Sequence, residues 1–187
     1  HTRYGTVTGV QTCALPISLA RDCEPGEPAR GHVTVPEPNR RLATDLTTVW
    51  TRTDGVVALV PTIDCGDRTA VITVTTDQHG PAVLASVEAK LVAAFGAPAH
   101  VPADLELRTD HGPQYTGADC AALCARWGLH HTFAPVGRPT GNAVVERFIR
   151  TLKEELIWLQ DWEDAAELRR AVDGWLEHYL HHRPDRK

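Results

Sequence analysis

The amino-acid sequence predicts an α/β protein built on a mixed five-stranded sheet, three antiparallel strands followed by two parallel ones, flanked by helices. Residues 41–76 hold three segments of strand character, joined by the short connections Asp54-Gly55 and Gly66-Asp67 that favour antiparallel hairpins. Residues 81–182 then alternate helix, strand, helix, strand, helix, an order that places the later strands parallel to the first. At 187 residues the chain has room for one domain with a real core.

The first strand spans residues 42–50. Leu42, Leu46 and Trp50 fall on one side and Ala43, Asp45 and Thr47 on the other, which sets Asp45 in mid-strand on the less bulky face. Residues 56–63 are apolar without alternation, as in a central strand covered on both faces. Pro61 cannot donate to a ladder and marks a bulge or an edge there. Residues 70–76 supply the third strand.

Pro81 opens a helix whose Leu84, Val87, Leu91 and Phe95 recur at helical spacing, and Gly96 with Pro98 stops it. Residues 105–109 form a short strand ending at Asp110. Thr116 and Asp119 then read as a capping box for a helix carrying Ala121, Leu123 and Trp127, which Gly128 ends. A strand follows over 129–134. The Pro- and Gly-bearing loop 135–141 leads into a long helix, 142–159, with the apolar stripe Val145, Phe148, Ile149, Leu152 and Leu156 and with Glu146 in its first turns. A last helix, 162–182, carries Leu168, Val172, Trp175 and Tyr179. This is the element order of the RNase H-like fold, in which Asp45 and Asp110 lie on neighbouring strands and the long helix brings Glu146 across to them.

The net charge of −5 excludes a protein coated in basic surface, so contact with nucleic acid must rest on a local patch. Five scattered cysteines, Cys13, Cys23, Cys65, Cys120 and Cys124, lack the dense spacing of a disulfide-stapled secreted domain, and a reducing bacterial cytoplasm is the expected location. The apolar runs are too short for a membrane span or a signal peptide. Methionine is absent and the last helical pattern runs almost to Lys187, which suggests a fragment. Residues 7–18 resemble the translated read-through of a sequencing adapter. Residues 1–21 are therefore expected to be an artefactual or disordered N-terminal segment, with a genuine flexible arm as the alternative. The Pro-, Gly- and charge-rich residues 22–40 read as a linker, 41–184 as the catalytic core and 185–187 as a truncated end.

Three carboxylates stand out because they can converge. Clustered without a cation, Asp45, Asp110 and Glu146 would repel one another and one would tend to hold a proton, so the cluster makes sense as a site for hard divalent cations. A lone Asp in a strand or turn would more often be a surface carboxylate or cap. The surrounding residues remove that reading. Asp45-Leu46-Thr47, then Arg108-Thr109-Asp110-His111-Gly112-Pro113-Gln114-Tyr115-Thr116, then Gly141-Asn142-Ala143-Val144-Val145-Glu146-Arg147-Phe148 with Thr151-Leu152-Lys153-Glu154-Glu155, are similar in order and spacing to the integrase core of bacterial insertion-sequence transposases, which is related to retroviral integrases.

The resemblance, which covers about residues 39–184, implies catalytic and metal-binding roles for Asp45, Asp110 and Glu146. It also implies two Mg2+ ions, with Mn2+ able to substitute, and metal-dependent cleavage and strand transfer of DNA. The implied partners are the DNA of element ends and target, further copies of the chain in an oligomer, and a helix-turn-helix end-binding region or subunit that this stretch does not contain. Leu42, where the family often has Trp, Gly141, where an Asp often precedes the Asn, and Leu180, where Asn usually follows Tyr, depart from the pattern without touching the three carboxylates.

Arg150 and Lys153 lie four and seven residues beyond Glu146 on the same helical face, with Arg147 close by, a row suited to DNA phosphates. The alternative is a solvated face with a Glu146–Arg150 pair. Arg138, in the loop before the glutamate, and Gln114 and Tyr115, after the second aspartate, are further expected DNA contacts. Asp64 fits a turn or a partner of Arg68 better than a catalytic role. Cys120 and Cys124, with His130 and His131 beyond, miss the usual short Cys pairs of zinc sites and are expected to be core cysteines. Two rival functions share the carboxylates: an RNase H-like nuclease without joining activity, which a strand-transfer assay separates, and an inactive DNA-binding transposase remnant, which metal titration separates.

Overall fold

The computed structural model describes residues 35–135 and 142–182. The elements are β1 (Arg41–Thr44), β2 (Thr47–Thr51), β3 (Gly55–Asp64), β4 (Ala70–Thr75), α1 (Gly80–Phe95), β5 (Glu106–Thr109), α2 (Pro113–Thr116), α3 (Ala118–Trp127), β6 (His130–Phe133), α4 (Ala143–Glu155) and α5 (Ala165–His182), with single 3-10 turns at Pro98–His100 and Ile157–Leu159. They form the RNase H-like α/β fold, with a mixed sheet and helices on both faces. β3 pairs antiparallel with β4 along one side and with β1 and β2 along the other. β1 continues into the parallel pairs β1–β5 and β5–β6.

The sheet has six segments where the sequence predicted five strands, because the first strand is broken at Asp45 and Leu46. Both halves keep one register against β3, with Thr44 opposite Thr62 and Thr47 opposite Leu59. Continuing that register sets Asp45 opposite Pro61, which has no N–H to give to a ladder. The carbonyl of Pro61 instead accepts from the Thr44 hydroxyl at 2.9 Å. The irregularity expected at Pro61 thus appears in its partner strand, and Asp45 leaves the end of β1 rather than sitting in mid-strand.

Three other boundaries differ. Thr116 ends the unpredicted α2, and α3 starts after Gly117 with no side-chain cap, so the capping box does not form. α4 stops at Glu155, where Leu156 leaves helical geometry with φ −135°. α5 begins at Ala165, because Trp162 is taken up by a bridge to Thr51 and by an indole N–H bond to the Ile157 carbonyl at 3.2 Å.

Alternating side chains of the sheet feed two cores. Ala43, Val57 and Leu59 pack with Phe148 and Leu152 of α4 and Trp175 and Tyr179 of α5. Leu42, Ala58, Val60 and Leu107 pack with Val87 and Leu91 of α1 and Leu123 and Trp127 of α3. β3 is covered on both faces, as its unalternating sequence predicts. Among the described residues no helix is long and apolar enough to cross a membrane.

Candidate active site

Asp45 is half-buried in the break after β1, and its Oδ1 accepts the Leu46 N–H at 2.8 Å. Its carboxyl is pushed up to about 6, first by burial and then by the negative charges of Asp110 and Glu146, while the Leu46 N–H and the charge of Lys153 act the other way. Side chains from the end of β1, the residue after β5 and the first turns of α4 therefore act on one another at one corner of the sheet.

Asp110 is exposed, and its Oδ1 accepts the Gly112 N–H at 2.9 Å. The turn is tight: a Cβ on Gly112 would stand 3.0 Å from that carboxylate oxygen and 2.8 Å from Oε1 of Gln114. Each strand-borne carboxylate thus has one oxygen oriented by a backbone N–H just beyond it. Glu146 is exposed and lies one turn into α4.

The residue that ties this helix to the first aspartate is Asn142, to which sequence reading gave no role. Its side chain is buried and Nδ2 donates to the Thr44 carbonyl at 3.3 Å, while the backbone carbonyl of Asn142 accepts the Glu146 N–H at 3.1 Å. One buried residue, through its side chain and its backbone, therefore links the end of β1 to the turn that carries Glu146. The signal for it in the sequence is an amide side chain at a helix start within the third motif.

The expected DNA contacts divide. Gln114 is half-buried beside Asp110, and Arg147 is exposed one residue past Glu146. Arg150 is exposed and bonds Glu154 at 2.8 Å, so the pair with Glu146 that the alternative reading allowed is replaced by one farther along α4. Lys153 is half-buried and close enough to favour the ionised form of Asp45. Tyr115 has to be corrected. It is 2% exposed, packed in the core beside α1 and α3 with its hydroxyl 3.5 Å from that of Thr44, so it supports the corner from beneath rather than facing DNA. Arg138 and its loop lie outside the described residues.

Asp64 is fully buried, and its carboxylate accepts the N–H groups of Asn39, Gly66 and Asp67, the turn role expected of it. Arg68 donates to the Cys65 carbonyl instead.

Three acidic side chains offering only oxygen, two of them exposed and the third disfavoured as an anion, suit a hard divalent cation.

Comparison with known proteins identifies the family and the fold. Residues 35–139 match a family model described as integrase core domain, and residues 116–187 match a second model of the same description. An uncharacterised protein of insertion element IS136 from Agrobacterium fabrum is 35% identical over 78 residues, 42% of this chain and 40% of the relative. The transposase of insertion sequence element IS904 from Lactococcus lactis is 32% identical over 80 residues, 43% of this chain and 32% of the relative. The chain thus spans less than half the length of these curated relatives. Among solved structures, the magnesium complex of the HTLV-2 integrase catalytic core domain aligns with TM-score 0.58 at 14% identity, over 80% of this chain and 92% of that one. The simian T-cell lymphotropic virus intasome aligns with TM-score 0.64 at 19% identity, over 88% of this chain and 57% of that one.

Proposed function

Because the chain belongs to the integrase core family, we propose that it is the catalytic core of an insertion-sequence transposase, cutting and joining DNA by phosphoryl transfer at Asp45, Asp110 and Glu146. The observation that carries the reading is the state of Asp45: burial and two further carboxylates destabilise its charge, an expense that makes chemical sense where a cation is to be received. Two magnesium ions, with manganese able to replace them, would lower the pKa of the attacking hydroxyl or water and neutralise charge on the leaving oxygen. The chain's own part is positioning. The Leu46 and Gly112 amides fix the two aspartates, Asn142 holds the glutamate's helix against β1, and the cations of Arg147, Arg150 and Lys153 line the approach for phosphates. Arg138 and Gln114 belong to the same approach. No covalent intermediate with the chain is required.

The partners proposed are element-end and target DNA, further copies of the chain, and an end-binding helix-turn-helix region or subunit, acting in the bacterial cytoplasm. Asp110→Asn tests the proposal. It should lower magnesium-dependent nicking and joining of oligonucleotides by about 10³-fold or more while leaving circular dichroism unchanged. Undiminished activity in that variant ends the assignment. Hydrolysis without joining by the parent chain would instead indicate a plain nuclease, and failure of the folded parent to bind magnesium or manganese in calorimetry would indicate a remnant.

A further inference from the structure

Beside Thr109, three further donors meet. Cys120 and Cys124, one turn apart on the buried face of α3, are 0% and 7% exposed, and His131 of the adjacent β6 turns its ring toward them. The two Sγ atoms and a ring nitrogen lie within 4.8 Å of one another. Cys120 Sγ stands 3.9 Å from His131 Nδ1, against about 3.6 Å between sulfur and nitrogen ligands on a tetrahedral zinc ion.

The hydrogen bonds behind the histidine decide which nitrogen is available. The Thr109 hydroxyl has one proton, and it goes to the Asp110 carbonyl at 2.8 Å. At 3.0 Å from His131 Nε2, the same oxygen must therefore accept. Nε2 then carries the ring proton, and Nδ1 presents a lone pair toward the thiols. A metal-bound imidazole needs the same arrangement, one nitrogen on the ion and the other donating to an oriented oxygen. A thiol S–H of Cys120 donating to Nδ1 uses the same orientation, and what points beyond that single bond is the second sulfur, that of Cys124, gathered within the same 4.8 Å.

We propose that Cys120, Cys124 and His131 form a zinc-type site for a thiophilic divalent cation, separate from the carboxylate site and coupled to it through Thr109. Two thiolates balance the ion's two charges, so no net charge is buried, and water completes a tetrahedron. Two thiols and an imidazole select against magnesium, as three carboxylates select for it. The bound ion would staple α3 to β6 and, through His131 and Thr109, steady the backbone carbonyl of Asp110.

The test is a cobalt titration of the whole chain, stripped by chelator, kept in a phosphine reductant and supplied with excess magnesium. One equivalent should give thiolate-to-cobalt charge-transfer absorption with the visible bands of tetrahedral cobalt, and zinc should erase both. Cys120→Ser, Cys124→Ser and His131→Gln should each weaken binding by about 100-fold or more, and Thr109→Val by about 10-fold, the effect of losing an outer partner. Asp110→Asn should keep the signal, which separates this site from the carboxylate one. Should a cysteine variant fail to fold, His131→Gln carries the test. No thiolate band in the parent, or a band that survives in His131→Gln or in the Cys120→Ser, Cys124→Ser double variant, overturns the proposal and assigns any cobalt to Cys13, Cys23 or Cys65.

Discussion

Asp45, Asp110 and Glu146 at the corner beyond β1 and β5, and Cys120, Cys124 and His131 beside Thr109, are two donor sets that the fold treats in opposite ways. The carboxylates sit at a corner where two are exposed and the third is half-buried, and they come from the ends of the strands β1 and β5 and from the first turns of α4. The thiols are inside the α1–α3 core, on one helix, with the imidazole on the next strand. Charge explains the contrast. Carboxylates near neutral pH are anions whose burial would cost several kcal/mol apiece, so their cluster stays near solvent and tolerates one raised pKa. A protonated thiol and an imidazole carrying a single ring proton are both neutral, and the core can hold them with or without an ion.

The difference in support gives the largest expected effect. Glu146 reaches the corner only because α4 is anchored, and its anchor is Phe148, 2% exposed, with its ring edge-on to Tyr179 at 5.0 Å and to Trp175 at 5.6 Å. Phe148→Ala should destabilise the chain by about 3–5 kcal/mol, the sum of lost transfer energy and the cavity left behind. Urea unfolding measures it. At temperatures where the variant remains folded, magnesium binding should weaken while the cobalt signature of the thiol set, on the opposite face of the sheet, persists. Equal loss of both would mean that the two sets are not independently supported.

A smaller effect of unusual sign follows from Asp45. Folding raises its pKa from the usual 3.8 to about 6, so its ionisation opposes folding. The penalty is absent well below pH 3.8, grows through the window from 3.8 to 6 and is complete above it. Asp45→Asn, whose Oδ1 can still accept the Leu46 N–H, should therefore stabilise the metal-free chain at pH 7.5, by on the order of 1 kcal/mol after allowance for partial exposure. The gain should vanish near pH 4. The same proton competes with the cation, so magnesium affinity of the parent chain should fall as pH drops through about 6. Calorimetry from pH 5 to 8 checks this, and a flat profile would remove Asp45 from the ion's ligands.

How far these two sets were legible in the sequence follows the range of the interactions that make them. The carboxylates stood in three local motifs, and α1, bounded by Pro81 and Gly96, announced itself by local rules. What escaped depends on partners far along the chain. The break at Asp45 exists because Pro61 lies opposite, which only strand register reveals. Tyr115 reads as an exposed turn residue until the four-residue α2 turns it under β1 toward Thr44. The apolar stripe of α4 runs on to Leu156, yet the chain turns there so that Trp162 can bridge to Thr51. Spacing alone speaks against the thiol set, and what spacing cannot show is that parallel pairing of β5 with β6 lays His131 beside Leu107 and in reach of α3.

The finest distinction concerns the cations on α4, which the sequence treats as one row and the fold does not. Arg150 is engaged by Glu154 at an exposed position, whereas Lys153 is half-buried and acts on Asp45. If both follow DNA phosphates, Arg150→Glu and Lys153→Glu should each reduce the slope of log affinity against log salt by about 1. Only the lysine change should also alter the carboxylates: with its positive charge gone and a negative one in place, the Asp45 carboxyl rises above 6 and magnesium binding requires a higher pH. Fluorescence anisotropy of labelled DNA across a salt series gives the first quantity, and calorimetry across pH the second. Unchanged slopes in both variants would reduce the row to a solvated face, and a pH shift in Arg150→Glu equal to that in Lys153→Glu would mean that long-range charge, rather than the lysine's place beside Asp45, sets the proton affinity of the corner.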